Sequence, residues 1–215
     1  MSRVILFDLD GTLIDSTEAI LESFSYAFRY FEIAIPNDTM IKEQIGYPLD
    51  VMFLSLGVAD EVKWDFVAKY KEHYQKISRA KTYLLPDAKE AVKRASKIAD
   101  LGVVTTKTGL YSIELLEHLG LMEYFRVVIG REDVTHPKPH PEPIQKALLA
   151  FEDSDISECW MVGDTCMDME SASSANIKSV GVTCGYGSIK QLSKYTQNIT
   201  KSALEAVNFI DCNKS

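Results

Sequence analysis

No cysteine occurs before residue 159, and the four that follow, Cys159, Cys166, Cys184 and Cys212, make no C-x-x-C pair. That spacing excludes a disulfide-framed scaffold and a cysteine-rich zinc module, and free thiols in a reducing compartment are expected. No run approaches the roughly 18 consecutive apolar residues of a membrane-spanning helix. The chain passes from Met1 straight into the strand-like VILF, without a basic segment followed by an apolar stretch and a small-residue cleavage site. A cytoplasmic location with no membrane association is the expectation. Positive charge is also scarce: 23 Lys and Arg stand against 31 Asp and Glu, a net charge of −8. A general nucleic-acid binder needs clustered cations, so nucleic acid is not an expected partner. Any anionic substrate must meet a local cation.

Hydrophobic residues make up 46% of the 215 residues and charged residues 25%, which is ordinary globular usage. There are no repeats, low-complexity segments or long linkers. Val4 to Phe7 is a short continuous apolar run ending in Asp-Leu-Asp-Gly-Thr, the pattern of a buried parallel strand entering a tight loop. Ile20, Leu21, Phe24, Ala27, Phe28 and Phe31 then recur at helical spacing behind Ser16 and Thr17. Between residues 36 and 80 the pattern stays helical, with Val62, Phe66, Tyr70, Tyr74 and Ile77 on one face. After Pro86 helices and strands alternate. Helices are predicted over 87–97, 109–119, 141–151 and 167–175, strands over 101–105, 127–129, 159–162 and 179–182, and short elements at 198–200 and 202–210. Alternation of this kind gives a parallel sheet with helices on its faces. The predicted organisation is a doubly wound α/β core of residues 1–14 and 82–215, interrupted by an α-helical cap of residues 15–81.

In such a sheet, ligands bind beyond the carboxyl ends of the strands. The residues there are Asp8 and Asp10 after the first strand, Thr105 and Thr106 after the second, Lys138 in the loop before the next helix, and Asp164 with Asp168 after the fourth. This set suits phosphoryl transfer. A carboxylate can attack a phosphoryl group only where other groups neutralise the charge on its oxygens. Lys138 and a Mg²⁺ ion held by Asp8 and Asp164 would do so, since Mg²⁺ prefers oxygen ligands. Asp10, two residues on, where the chain leaves the strand to turn at Gly11, can reach a leaving-group oxygen and serve as acid and then base, with the charge on Asp8 helping it hold a proton. Thr12 and Tyr47 are the further candidates for substrate contact, Tyr47 because it follows Gly46 in a turn between cap helices.

The runs FDLDGTLIDS, VVTTK, HPKPHPEP and VGDTCMD resemble, in order, the four motifs of the haloacid dehalogenase superfamily. IGYPLD and GVTCGYGS resemble its phosphoglycolate phosphatase-like branch. The resemblance implies a phosphoric monoester hydrolase with an inserted mobile cap, acting on a small phosphorylated metabolite through an aspartyl-phosphate on Asp8. It further implies that the Asp10 carbonyl touches Mg²⁺, that Thr105 and the Thr106 N–H hold phosphoryl oxygens, and that Asp168 supports the metal's waters. Asp10 speaks against dehalogenation, because dehalogenating members lack a carboxylate there. Two positions depart from the pattern, Asp87 and Asn176 standing where the family often has Gly. Asp87 reads as an N-cap, and Asn176 as a residue that tolerates the left-handed conformation. Inorganic pyrophosphatase and hexose-phosphate mutase are alternatives within the superfamily, and a phosphoaccepting signalling domain is one outside it. His136 and His140 read as solvated loop histidines.

Overall fold

The structure is a computed structural model and describes residues 2–152 and 154–213. The N-terminal apolar run forms strand β1 (Ser2–Phe7). After the two-residue strand β2 (Ile14–Asp15) come helices α1 (Thr17–Tyr30), α2 (Asp38–Lys42), α3 (Leu49–Ser55) and α4 (Lys63–Ile77), and the chain returns through β3 (Tyr83–Leu84). Alternation then begins with α5 (Ala88–Ala95), β4 (Asp100–Val104), α6 (Gly109–His118), β5 (Val127–Ile129) and α7 (Glu142–Leu148). It ends with β6 (Ser154–Gly163), α8 (Cys166–Ser174), β7 (Lys178–Val182), α9 (Ile189–Leu192), β8 (Ile199–Thr200) and α10 (Ala203–Cys212). The chain divides into two compact units, one of Met1–Asp15 with Leu84–Ser215 and one of Ser16–Tyr83. Among the described residues no helix is long and apolar enough to cross a membrane.

In the first unit six strands pair in parallel in the order β5-β4-β1-β6-β7-β8. The chain builds outward from β1 to one edge and then outward to the other, so the topology reverses between β1 and β6. Both faces of the sheet are covered, which is why β1 reads as a continuous apolar run. Ile5 and Phe7 face a cluster with Val92 of α5, Leu115 of α6 and Val207 of α10. Val4 and Leu6 face the opposite cluster with Ile144 of α7 and Ala172 of α8.

The second unit holds an aromatic core of its own. Phe24 and Phe53 lie 4.6 Å apart between ring centroids, Phe24 and Tyr70 5.0 Å, and Phe28 and Phe66 5.4 Å. Such pairs add specificity of packing to the burial itself. The helical pattern read over residues 36–80, with its turn at Gly46, resolves into three helices, α2, α3 and α4. Gly46 and Gly57 turn the chain between them at φ of +110° and +90°, a region that glycine enters without steric cost. Val62, expected on the inner face, is the exposed N-cap of α4.

Three details differ in the core. Strand β6 starts at Ser154, five residues before the predicted start, because its first part pairs with the beginning of β1 across an irregularity in register. Helix α9 was not foreseen. Asp87 occupies the N-cap position of α5 but its side chain makes no capping bond, and its backbone is left-handed at φ +61°. Asn176 is left-handed at φ +58°. There it ends α8 with Ile177 N–H donating to Ala172 O and its own N–H to Ser173 O, a Schellman closure.

Candidate active site

Parallel strands end their ladders at their carboxyl ends, and the four strand ends nearest the topological reversal deliver the polar residues. Asp8 continues β1, its N–H donating to Val162 O of β6 at 2.9 Å. Thr105 continues β4 in the same way, donating to Ile129 O at 2.9 Å. Asp164 follows β6 directly, and Asp168 sits in the first turn of α8. Lys138 arrives from the loop after β5. Asp8, Thr105, Lys138, Asp164 and Asp168 are all buried.

The Lys138 ammonium donates to Asp8 Oδ1 at 2.9 Å, Asp168 Oδ1 at 2.5 Å and Val104 O at 2.9 Å. The other oxygen of Asp168 accepts from Thr165 N–H at 3.0 Å and Thr165 Oγ1 at 2.6 Å, the capping box that starts α8. Asp164 accepts from Thr12 Oγ1 at 3.1 Å and Tyr186 N–H at 2.8 Å. Its carboxylate lies against bare backbone, since a Cβ on Gly185 would come within 2.1 Å of Asp164 Oδ2 and one on Gly11 within 2.4 Å.

One carboxylate oxygen from each of Asp8, Asp164 and Asp168 lies within 4.8 Å of the others. Of these three buried carboxylates two, Asp8 and Asp168, share the Lys138 ammonium. Burial lifts the Asp8 carboxyl to about 7 against the pull of Lys138, with Asp168 and Asp10 adding to the rise. Burial, followed by the charges of Asp8 and Asp168, holds Asp164 well above the usual carboxylate range. For Lys138, burial pulls the ammonium down, but Asp168 and Asp8 more than offset it and the net direction is upward. A cluster of oxygen donors in which burial drives Asp8 and Asp164 toward protonation fits a hard divalent cation, which would restore their ionised forms.

Asp10, at the mouth of the same strand end, forms an ion pair with Lys107 Nζ at 2.8 Å. Thr106 is half-buried beside it in sequence, and the Thr105 hydroxyl accepts from Lys107 N–H at 3.2 Å. Thr12, read as a substrate contact, commits its hydroxyl to Asp164 and is only 1% exposed. It positions a carboxylate. Tyr47 belongs to the other unit, where it is exposed between α2 and α3. Sequence reasoning passed over Lys107, although it ends the run VVTTK, and the Tyr186 N–H, a backbone donor in the loop after β7.

The model of the family described as haloacid dehalogenase-like hydrolase matches residues 5–182. The chain is 33% identical to the pyrophosphatase PpaX of Oceanobacillus iheyensis, over 84% of this chain and 83% of that protein. It is 30% identical to the phosphoglycolate phosphatase of Escherichia coli K12, over 86% and 82%. Among solved structures, a haloacid dehalogenase-like family hydrolase from Streptococcus pneumoniae superposes with a TM-score of 0.86 at 26% identity, covering 97% of this chain and 98% of that one. A parallel sheet whose strand order reverses at a carboxylate-rich crevice, and a family match running from its first strand to β7, place this chain in the haloacid dehalogenase-like hydrolase family.

Proposed function

We propose that this hydrolase cleaves a small phosphomonoester, phosphoglycolate or a close analogue, in two steps through an aspartyl-phosphate on Asp8. The observation that carries the reading is the buried trio Asp8, Asp164 and Asp168 gathered at the topological reversal, with the Lys138 ammonium paired to Asp8 and Asp168. Asp8, Asp164 and the Asp10 carbonyl would hold Mg²⁺, with Asp168 steadying its waters. Bound there, the ion would neutralise charge on the transferring phosphoryl oxygens.

In the first step a carboxylate oxygen of Asp8 bonds to phosphorus as the ester P–O bond breaks, and the leaving oxygen takes a proton from Asp10. In the second, water bonds to phosphorus, the bond to Asp8 breaks, and the water's proton passes to Asp10. Inorganic phosphate then leaves and both residues are restored. Lys138 fixes the attacking carboxylate through Oδ1 and offsets its charge. The Thr105 hydroxyl and Thr106 N–H would hold phosphoryl oxygens. Lys107 steers the Asp10 carboxyl. The helices of Ser16–Tyr83, with Tyr47, would act as the cap that selects the ester and excludes water.

A second reading, inorganic pyrophosphatase, is favoured by the name of the Oceanobacillus relative. The two separate in one experiment: phosphate release from phosphoglycolate, sugar phosphates and pyrophosphate, each with Mg²⁺ and with a chelator. Turnover that requires Mg²⁺ and is greatest on an organic monoester is the expected result. Asp8→Asn should lower kcat by about 10³-fold or more while the circular dichroism spectrum is unchanged. A variant retaining wild-type turnover would overturn the assignment of the nucleophile.

A further inference from the structure

The loop between β5 and α7 carries two imidazoles for which the proposed reaction has no use. His136 and His140 stand two residues before and two residues after Lys138. Their rings lie 4.7 Å apart between centroids, with planes inclined by 35°. Glu142, the first residue of α7, folds back over them. Its Oε1 accepts from Thr135 N–H at 2.8 Å, and its Oε2 accepts from His136 N–H at 2.9 Å and lies 2.9 Å from His136 Nδ1. The Glu142 N–H donates to His140 Nδ1 at 3.1 Å. One ring nitrogen of each histidine and one Glu142 oxygen lie within 4.8 Å of one another, and both histidines are exposed.

We propose that His136, His140 and Glu142 form a second cation site, on the surface, for a borderline transition ion of the Zn²⁺ class. The donor set decides the class: imidazole nitrogens suit Zn²⁺, Ni²⁺ and Cu²⁺, whereas the all-oxygen trio at Asp8 suits Mg²⁺. Three protein ligands leave the fourth tetrahedral position to water. Much of the site is already ordered, because Glu142 is tied down by two backbone N–H groups and Pro137 and Pro139 restrict the chain between the rings. Those backbone bonds, from Thr135 and then His136, hold the Glu142 carboxyl at about 2, so the ligand is ionised throughout the neutral range. On entry the ion replaces the His136–Glu142 hydrogen bond, and any proton on the ligating nitrogen passes to solvent. A hydrogen-bonded staple from loop to helix accounts for the Glu142 contacts, but it does not require two imidazoles beside each other.

The site stands on its own geometry and does not depend on the reaction proposed at Asp8. The test is equilibrium dialysis of the full chain against micromolar Zn²⁺ in millimolar Mg²⁺, with bound zinc counted by elemental analysis and Co²⁺ as a visible-absorption probe of tetrahedral coordination. Wild type and Asp164→Asn should each retain one equivalent. The double variant H136A/H140A should bind it at least about 100-fold more weakly, since even residues that merely support metal ligands cost roughly 10–100-fold. Its thermal midpoint should match wild type, and the single variants His136→Gln and His140→Gln serve if the double variant does not fold. Retention of the equivalent by the histidine variants, its loss in Asp164→Asn, or no retained zinc in wild type would each overturn the proposal.

Discussion

Lys138 donates to Asp8, Asp168 and a backbone carbonyl at once. Its removal leaves two buried carboxylates without their cation, so Lys138→Ala should destabilise the fold by roughly 3–5 kcal/mol, read as a lower urea midpoint, and abolish turnover. Arginine is a poor substitute, because a planar fork cannot meet three acceptors arranged for one ammonium. Gly185 matters for the opposite reason, the lack of a side chain. A methyl group there would occupy the place of the Asp164 carboxylate and press on the Gly11 carbonyl oxygen, 2.4 Å away. Gly185→Ala should raise the Mg²⁺ concentration needed for half-maximal activity by about tenfold or more, while the fold survives. An unchanged requirement would mean that the loop backbone at Gly185 and Gly11 shifts to spare the Asp164 carboxylate.

Helix ends tell what each element tolerates. Asp87 is left-handed at the start of α5 with no side-chain cap to compensate, and an L-residue there costs roughly 1–2 kcal/mol of which Asp escapes part. Asp87→Gly should therefore raise the melting temperature, by an amount equivalent to at most about 1 kcal/mol once the extra freedom that glycine gives the unfolded chain is deducted. A fall would show that Asp87 contributes something beyond its backbone geometry. The elements carrying the site were legible because Asp8 and Asp164 each follow an apolar run, VILF and WMVG. The Asp10–Lys107 pair was not, since it joins the ends of β1 and β4 and only strand order makes those ends neighbours. The Tyr186 N–H escaped for another reason: a main-chain donor leaves no trace in residue types. Helix periodicity also overran Gly57, because apolar spacing registers faces and not turns, whereas the turn at Gly46 was read from the sequence.

At the scale of the molecule, the first unit holds its two ends of chain together on its own account, with Leu85 N–H donating to Leu13 O at 3.0 Å. Replacing Ser16–Tyr83 by a short Gly/Ser linker should thus leave a core that melts cooperatively, for a loop-closure cost that grows by only about 0.6 kcal/mol per doubling of linker length. Thermal denaturation followed by circular dichroism decides it, and a broad, non-cooperative transition would show that the core needs the inserted helices to fold.

The central place of β1 in the sheet sets a timetable for biosynthesis. Of the described elements it is made first, yet its neighbours β4 and β6 begin only at Asp100 and Ser154. At about 5–20 residues per second, the ribosome takes roughly 5–20 s to reach the first of them and roughly 7–30 s to reach the second. Until β4 emerges the apolar strand has two open edges, and until β6 emerges it keeps one, while α1 to α4 already have one another to pack against. Asp8 is therefore the first residue of its site to be synthesised and cannot be positioned until Val162, to which it is tied, has left the ribosome.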